Sequence, residues 1–154
     1  MGMTHRFATA GDCPALAELN HQLIRDEGHR NAMTIAQLEA RMRQWLASGE
    51  YRAVLFEDGT AVVAYALFRE TEAEVHLRQF FVARPRRREG VGQRAMADLF
   101  SRVWPRSKRL TVSVLATNTP GIAFWRAMGY TDYDLTLEIA PRGSAGAAGP
   151  VPND

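Results

Sequence analysis

Arg87-Arg88-Glu89-Gly90-Val91-Gly92 follows the apolar run Leu77 to Val82 and leads into a helix-period segment that ends near Trp104. A strand that feeds a glycine-bearing turn and then a helix start builds a seat for an anion. Backbone N–H groups at the helix N-terminus point at a phosphate, and the helix dipole favours its negative charge. The stretch therefore implies a phosphorylated ligand. Charge agrees: Arg84 to Arg109 holds nine basic residues against Glu89 and Asp98, a local +7, while the rest of the chain sums to −5. Guanidinium forks suit phosphate oxygens.

Working outward toward the N-terminus, His5 to Thr9 reads as a short strand. Asp12 then caps a helix with Pro14 in its first turn and Leu16, Leu19 and Leu23 on one face, running to about Glu27. Thr34 and Gln37 have capping-box spacing, and Ile35, Leu38, Met42 and Trp45 repeat at helical period, so a second helix follows. Arg52 to Phe56 and Ala61 to Phe68 flank the hairpin signal Asp58-Gly59, and Glu74 to Val82 returns to complete an antiparallel meander. Beyond the glycine turn, Leu99, Phe100 and Val103 share a helix face and Leu110 to Leu115 is a strand. Thr119-Pro120 opens a last helix that Gly129 closes, and Asp134 to Ile139 alternates Leu135, Leu137 and Ile139 with polar residues as a half-buried strand does. The order is β-α-α-β-β-β-α-β-α-β, an α/β sandwich with a mixed sheet.

Length and composition frame this reading. The chain has 154 residues, 46% hydrophobic and 23% charged, which suits one globular domain over 1–140, followed by a Gly/Ala/Pro-rich tail at 141–154 that is expected to be flexible. Cys13 is the single cysteine, so neither an intramolecular disulfide nor a cysteine zinc site is expected. The four histidines lack metal-ligand spacing, and no metal is expected. No apolar run approaches the roughly 18 residues of a membrane span, and no signal-peptide core is evident. The expected location is the cytoplasm, with no membrane partner.

Two motifs resemble a known family. Arg87-x-x-Gly90-x-Gly92 matches the Gln/Arg-x-x-Gly-x-Gly/Ala signature of the GNAT superfamily of acyl-CoA N-acyltransferases. Downstream, Asn118, Ala123 and the segment Phe124-Trp125-Arg126-Ala127-Met128-Gly129-Tyr130 resemble that family's Asn, Ala and Phe-Tyr-x-x-x-Gly-Phe segment. The resemblance implies a mixed, mostly antiparallel central sheet with helices on both faces. It implies acetyl-CoA as co-substrate and transfer of its acetyl group to a primary amine of a small molecule or peptide by direct attack.

The same resemblance assigns contacts. The pyrophosphate would lie on backbone N–H groups of Arg87, Arg88, Glu89, Gly90, Val91, Gly92 and Gln93, with side chains larger than glycine at 90 and 92 blocking its approach. Arg86, Arg87 or Arg88 would reach the 3′-phosphate; many family members carry glycine at the position of Arg88. Phe81 and Val82 would pair by their backbones with the pantetheine arm, and Asn118 and Trp125 would line the other side of the opening. A family tyrosine that protonates the leaving thiolate is replaced here by Trp125, so Tyr130, Tyr133, water or plain thiolate release takes that role. Homodimers through the last strands are common in the family.

The chemistry itself asks for a base, since an ammonium with a pKa of about 10 attacks nothing until it loses a proton. Glu27 and His29 after the first helix, and His76 on the strand before the signature, are the candidates. Gln79 takes no proton and would orient substrate or water. Three other readings fit less well. Gly90 to Ala95 also satisfies a dinucleotide pattern, but no acidic residue stands about 20 residues on to hold a ribose. The arginine stretch lacks interleaved aromatics, so no nucleic-acid partner is expected. A non-catalytic acyl-CoA sensor is the remaining alternative, suggested by Trp125.

Overall fold

The structure is a computed structural model that describes residues 2–143. One five-stranded sheet runs in the spatial order β1 (Met3–Phe7), β2 (Arg52–Asp58), β3 (Ala61–Glu70), β4 (Glu74–Val82), β5 (Arg109–Val112). The first four strands are antiparallel neighbours, and β5 joins β4 in parallel. Helices α1 (Cys13–Glu27) and α2 (Ile35–Ser48) cover one face; α3 (Val91–Asp98) and α4 (Thr119–Ala127) cover the other. The mixed, mostly antiparallel α/β sandwich expected from the sequence is present.

Local chemistry sets the ends of these elements. Thr34 and Gln37 form the reciprocal capping box, with Gln37 N–H donating to Thr34 Oγ1 at 3.2 Å and Thr34 N–H donating to Gln37 Oε1 at 2.9 Å. Gly28 ends α1 at φ 76°, which an L side chain rarely adopts. Asp12 differs from the expectation: its carboxylate accepts from Thr9 N–H and from Arg6, closing the short turn before α1 and tying it to β1.

Two cores hold the layers together. Leu16, Leu23, Met42, Trp45, Leu55, Tyr65, Leu67 and Phe81 pack between α1, α2 and the sheet. Phe56, Phe68, Leu77, Val91, Met96, Leu99 and Trp104 pack on the other side. Each such side chain, removed from water, contributes about 1.5–3 kcal/mol.

A β-bulge decides where these cores meet the site. Phe68 pairs with Leu77 but Leu67 pairs with Gln79, so Arg78 is an extra residue in β4. Val75 and Leu77 face α3, whereas Gln79 and Phe81 face α1 and α2. Without the bulge all four would share one face, because side chains alternate with a period of two. Beyond the bulge β4 also parts from β5, whose last pair is Leu77 with Val112.

The expected final strand is corrected. Residues 134–139 pair with no strand among the described residues, and Leu135, Leu137 and Ile139 are 71%, 82% and 78% exposed. Around this segment the Arg109 guanidinium lies 4.3 Å from the Tyr133 ring centroid, Arg126 pairs with Asp132, and Arg30 donates to Glu138 at 3.0 Å. The 141–154 tail falls largely outside the described residues.

Candidate active site

Two openings flank β4. The first is a cleft of about 290 Å³ whose walls include Val82, Arg87, Arg88, Gly90, Gly92, Gln93 and Phe124. Gly90 is the N-cap of α3 at φ 77° and has no side chain to satisfy the helix start. The N–H groups of Val91, Gly92 and Gln93 meet no acceptor among the described residues; Arg94 N–H is the first to bond back, to Gly90 O at 3.1 Å. Three free amides, a helix dipole and arginines on one rim form an anion seat.

Within the fold itself, the two glycines answer different local needs. Nothing lies within 4 Å of where a Gly90 Cβ would stand, so its left-handed φ is what calls for glycine. A Cβ on Gly92 would stand 3.2 Å and 3.3 Å from the Phe124 ring and 3.6 Å from Val82, so Gly92 lets α3 close on α4 and β4.

Of the arginines, most are engaged. Arg84 and Arg87 both donate to Asp26 at the end of α1, at 2.7 and 2.8 Å, and these guanidiniums hold the Asp26 carboxyl below the usual range. Arg87 Nε also donates to Val82 O at 3.1 Å. Arg86 bridges Asp58 and Glu89. Arg88 is exposed and makes no hydrogen bond or ion pair among the described residues, and it is the one non-glycine residue there at positive φ, 63°. The position where relatives often carry glycine is thus a left-handed one, occupied here by a guanidinium.

The second opening is a cavity of about 40 Å³ where β4 and β5 part, walled by Leu23, Glu27, His29, Arg78, Gln79, Phe80, Ser113, Asn118 and Trp125, among others. It gathers Glu27 and His29 at the end of α1, Gln79 of β4, and Asn118 and Trp125 of α4 from three separate parts of the chain. Glu27 Oε1 and His29 Nε2 are 2.9 Å apart. Asn118 caps α4, its Oδ1 accepting from Gly121 N–H at 3.0 Å. Gln79 is 2% exposed; Tyr65 donates its hydroxyl to Gln79 Oε1 at 2.9 Å, and Gln79 Nε2 meets no acceptor. Trp125 packs edge-on to Phe80, Phe124 and Tyr130 while also forming cavity wall.

Three expected residues stand elsewhere. Tyr130 packs against Phe100 and Trp125 with its hydroxyl buried and unpartnered, and burial raises its pKa above that of an ordinary phenol. It lines neither opening, so a role as the acid loses its geometric basis. His76 shares a 2.8 Å hydrogen bond with Thr111 Oγ1, linking β4 to β5 away from both openings, and burial lowers its pKa. It holds strands together rather than substrate. The Phe81 ring is core, beneath the Arg87 guanidinium at 4.8 Å. Ala83 N–H donates to Val63 O, so by alternation Phe81 spends its polar groups on β3, whereas Val82 directs its own toward the open edge. Of the pair, Val82 is the backbone donor available to a ligand.

The sequence reading missed the Arg78 bulge, the Tyr65–Gln79 pair and the Asp26 bridge to two arginines. Only the first left a signal. Alternation in β4 breaks at the consecutive polar residues Arg78-Gln79.

The acetyltransferase (GNAT) family profile matches residues 17–130. The chain belongs to this family and is an N-acetyltransferase. A search of curated protein sequences finds no match. Among solved structures, a predicted acetyltransferase from Clostridium acetobutylicum determined with acetyl-CoA superposes with a TM-score of 0.67 at 16% identity, covering 89% of this chain and 95% of that one. An acetyltransferase from Thermus thermophilus gives 0.72 at 18% identity, covering 85% and 88%. The aminoglycoside 6′-N-acetyltransferase AAC(6′)-IG from Acinetobacter haemolyticus gives 0.68 at 16% identity, covering 92% and 99%. Within the described residues no helix is long and apolar enough to cross a membrane.

Proposed function

We propose that the chain binds acetyl-CoA across the two openings and acetylates a primary amine held beside Glu27 and His29. The observation that carries this reading is the row of unbonded amides at Val91, Gly92 and Gln93 next to Arg88, one strand away from the parting of β4 and β5. The amides and Arg88 hold phosphates, with Arg88 on the 3′-phosphate. The open edge of β4 at Val82 receives the pantetheine arm, which requires Arg87 Nε to release Val82 O.

Acetyl-CoA supplies a thioester carbonyl that an amine can attack. Glu27, oriented by His29, takes the proton from the acceptor ammonium. Val82 N–H donates to the carbonyl oxygen as it gains charge. The C–N bond forms, the C–S bond breaks and the nitrogen gives its second proton to solvent; with an indole at Trp125 and Tyr130 buried, the thiolate leaves into solvent and is protonated there. Two copies pair through the exposed apolar residues of 133–139.

Calorimetric titration with acetyl-CoA, followed by thiol release on adding amines, tests the proposal. Saturable binding that is lost in Gly92→Glu supports it. Absence of binding by a folded protein removes it.

A further inference from the structure

The wall of the smaller cavity carries two neighbouring donors that the fold leaves unanswered. Gln79 is fully buried, its oxygen end is occupied by the Tyr65 hydroxyl, and its Nε2 has no acceptor. Arg78, the bulge residue beside it, is held in place rather than neutralised. Its Nη1 donates to Tyr51 Oη at 2.9 Å, and its guanidinium lies 4.6 Å and 5.3 Å from the Trp45 and Tyr51 ring centroids. Its Nε is buried without an acceptor, and no carboxylate pairs with it among the described residues. The nearest acid on the same wall, Glu27, is engaged by His29.

Buried donors without acceptors are costly, and a half-buried cation without a counter-charge more so. A hydroxyl or amide on the ligand would answer Gln79 and leave the arginine charge uncompensated. A carboxylate answers both, since it is acceptor-only and has lone pairs to share between two donors. We infer that the acceptor is an amino acid: its amine sits at Glu27 and His29, and its carboxylate is read by Gln79 Nε2 and Arg78. The bulge is what makes this arrangement, because it places two consecutive residues on the α1/α2 side of β4.

This inference rests on the acetyltransferase reading and narrows its substrate. The test uses the full chain with acetyl-CoA and follows thiol release. Glycine, β-alanine and larger amino acids are each compared with their own carboxamides and with the matching decarboxylated amines. The ratio of kcat/KM for carboxylate over carboxamide is expected to exceed about tenfold, the effect of a hydrogen bond to a charged group. In Gln79→Met and in Arg78→Gln that ratio falls toward one. The ratio is insensitive to the fraction of protein folded, so a destabilised variant still reports.

Carboxamides or simple amines used as well as the amino acids, or a ratio unmoved in both variants, overturns the inference while acetyl transfer itself stands. Acetyl-CoA binding by calorimetry with no amino acid accepted also overturns it. Failure to bind acetyl-CoA at all removes the parent reading instead.

Discussion

Arg88→Gly separates the fold's interest from the ligand's. At φ 63° this side chain sits in the left-handed region, where an L-residue costs about 1–2 kcal/mol. Glycine removes that strain but frees the unfolded chain, which returns about 0.4–1 kcal/mol of the gain. The variant is therefore expected to be more stable by roughly 0.5–1 kcal/mol, which raises Tm by about 1–4 °C for a domain of this size. Affinity moves the other way. Among the described residues Arg88 is the loop arginine without a protein partner, so on the proposed reading its loss removes a charge-assisted contact to the 3′-phosphate. CoA is expected to bind on the order of tenfold more weakly, with dephospho-CoA unchanged. Thermal unfolding and calorimetry on both ligands read the two effects separately. A lower Tm, or an equal loss of affinity for CoA and dephospho-CoA, would refute the assignment of strain and phosphate contact to this residue.

Four other substitutions probe the rest of the site. Gly92→Glu is expected to abolish CoA binding and lower Tm, since its side chain meets the Phe124 ring and brings negative charge to the seat; retained affinity in a folded variant means the seat is elsewhere. Glu27→Gln should reduce the acetylation rate at neutral pH by about 10²-fold and alter its pH profile, and an unchanged profile excludes Glu27 as the base. Tyr130→Phe deletes a buried hydroxyl without a partner, so kcat is expected to hold and Tm to stay level or rise; a large fall in kcat would restore Tyr130 as the acid. Leu137→Asp should convert a dimer to a monomer in analytical ultracentrifugation, whereas a wild-type monomer at micromolar concentration disposes of pairing through this segment.

Much of the fold could be read because its signals are local. The Thr34 to Gln37 box, the Asp58-Gly59 turn, the glycine after α4 and the helical repeat of Leu38, Met42 and Trp45 each act within a few residues. The anion seat was legible for the same reason: strand, glycine turn and helix start are consecutive. The final strand failed because alternation says only that 134–139 is fit to be one. A strand exists when a partner edge accepts its hydrogen bonds, and residues 134–139 pair with no strand among the described residues. The bridge from Asp26 was not legible for a related reason, since its partners Arg84 and Arg87 lie 58 and 61 residues away.

Four departures from local rules line the two openings. The extra residue at Arg78, the unanswered amide of Gln79, the left-handed φ of Arg88 and the uncapped amides of Val91 to Gln93 all fall between residues 78 and 93. Each weakens the fold: a broken ladder, a buried donor without an acceptor, backbone strain, a helix start without a cap. Others lie elsewhere among the described residues: a second bulge at Phe56 and Glu57, where β2 pairs with β3, and the buried, unpartnered Asn20 Nδ2, Trp104 Nε1 and Tyr130 hydroxyl. What sets the 16-residue stretch apart is that its four irregularities lie together along the walls of both openings, where a ligand can supply the missing partners. Phosphate oxygens would answer the amides and Arg88; a carboxylate on the acceptor would answer Gln79 and Arg78. The same stretch should then gain most in hydrogen-exchange protection when both substrates bind, with the gain divided at Val82 between a CoA-dependent and an acceptor-dependent part.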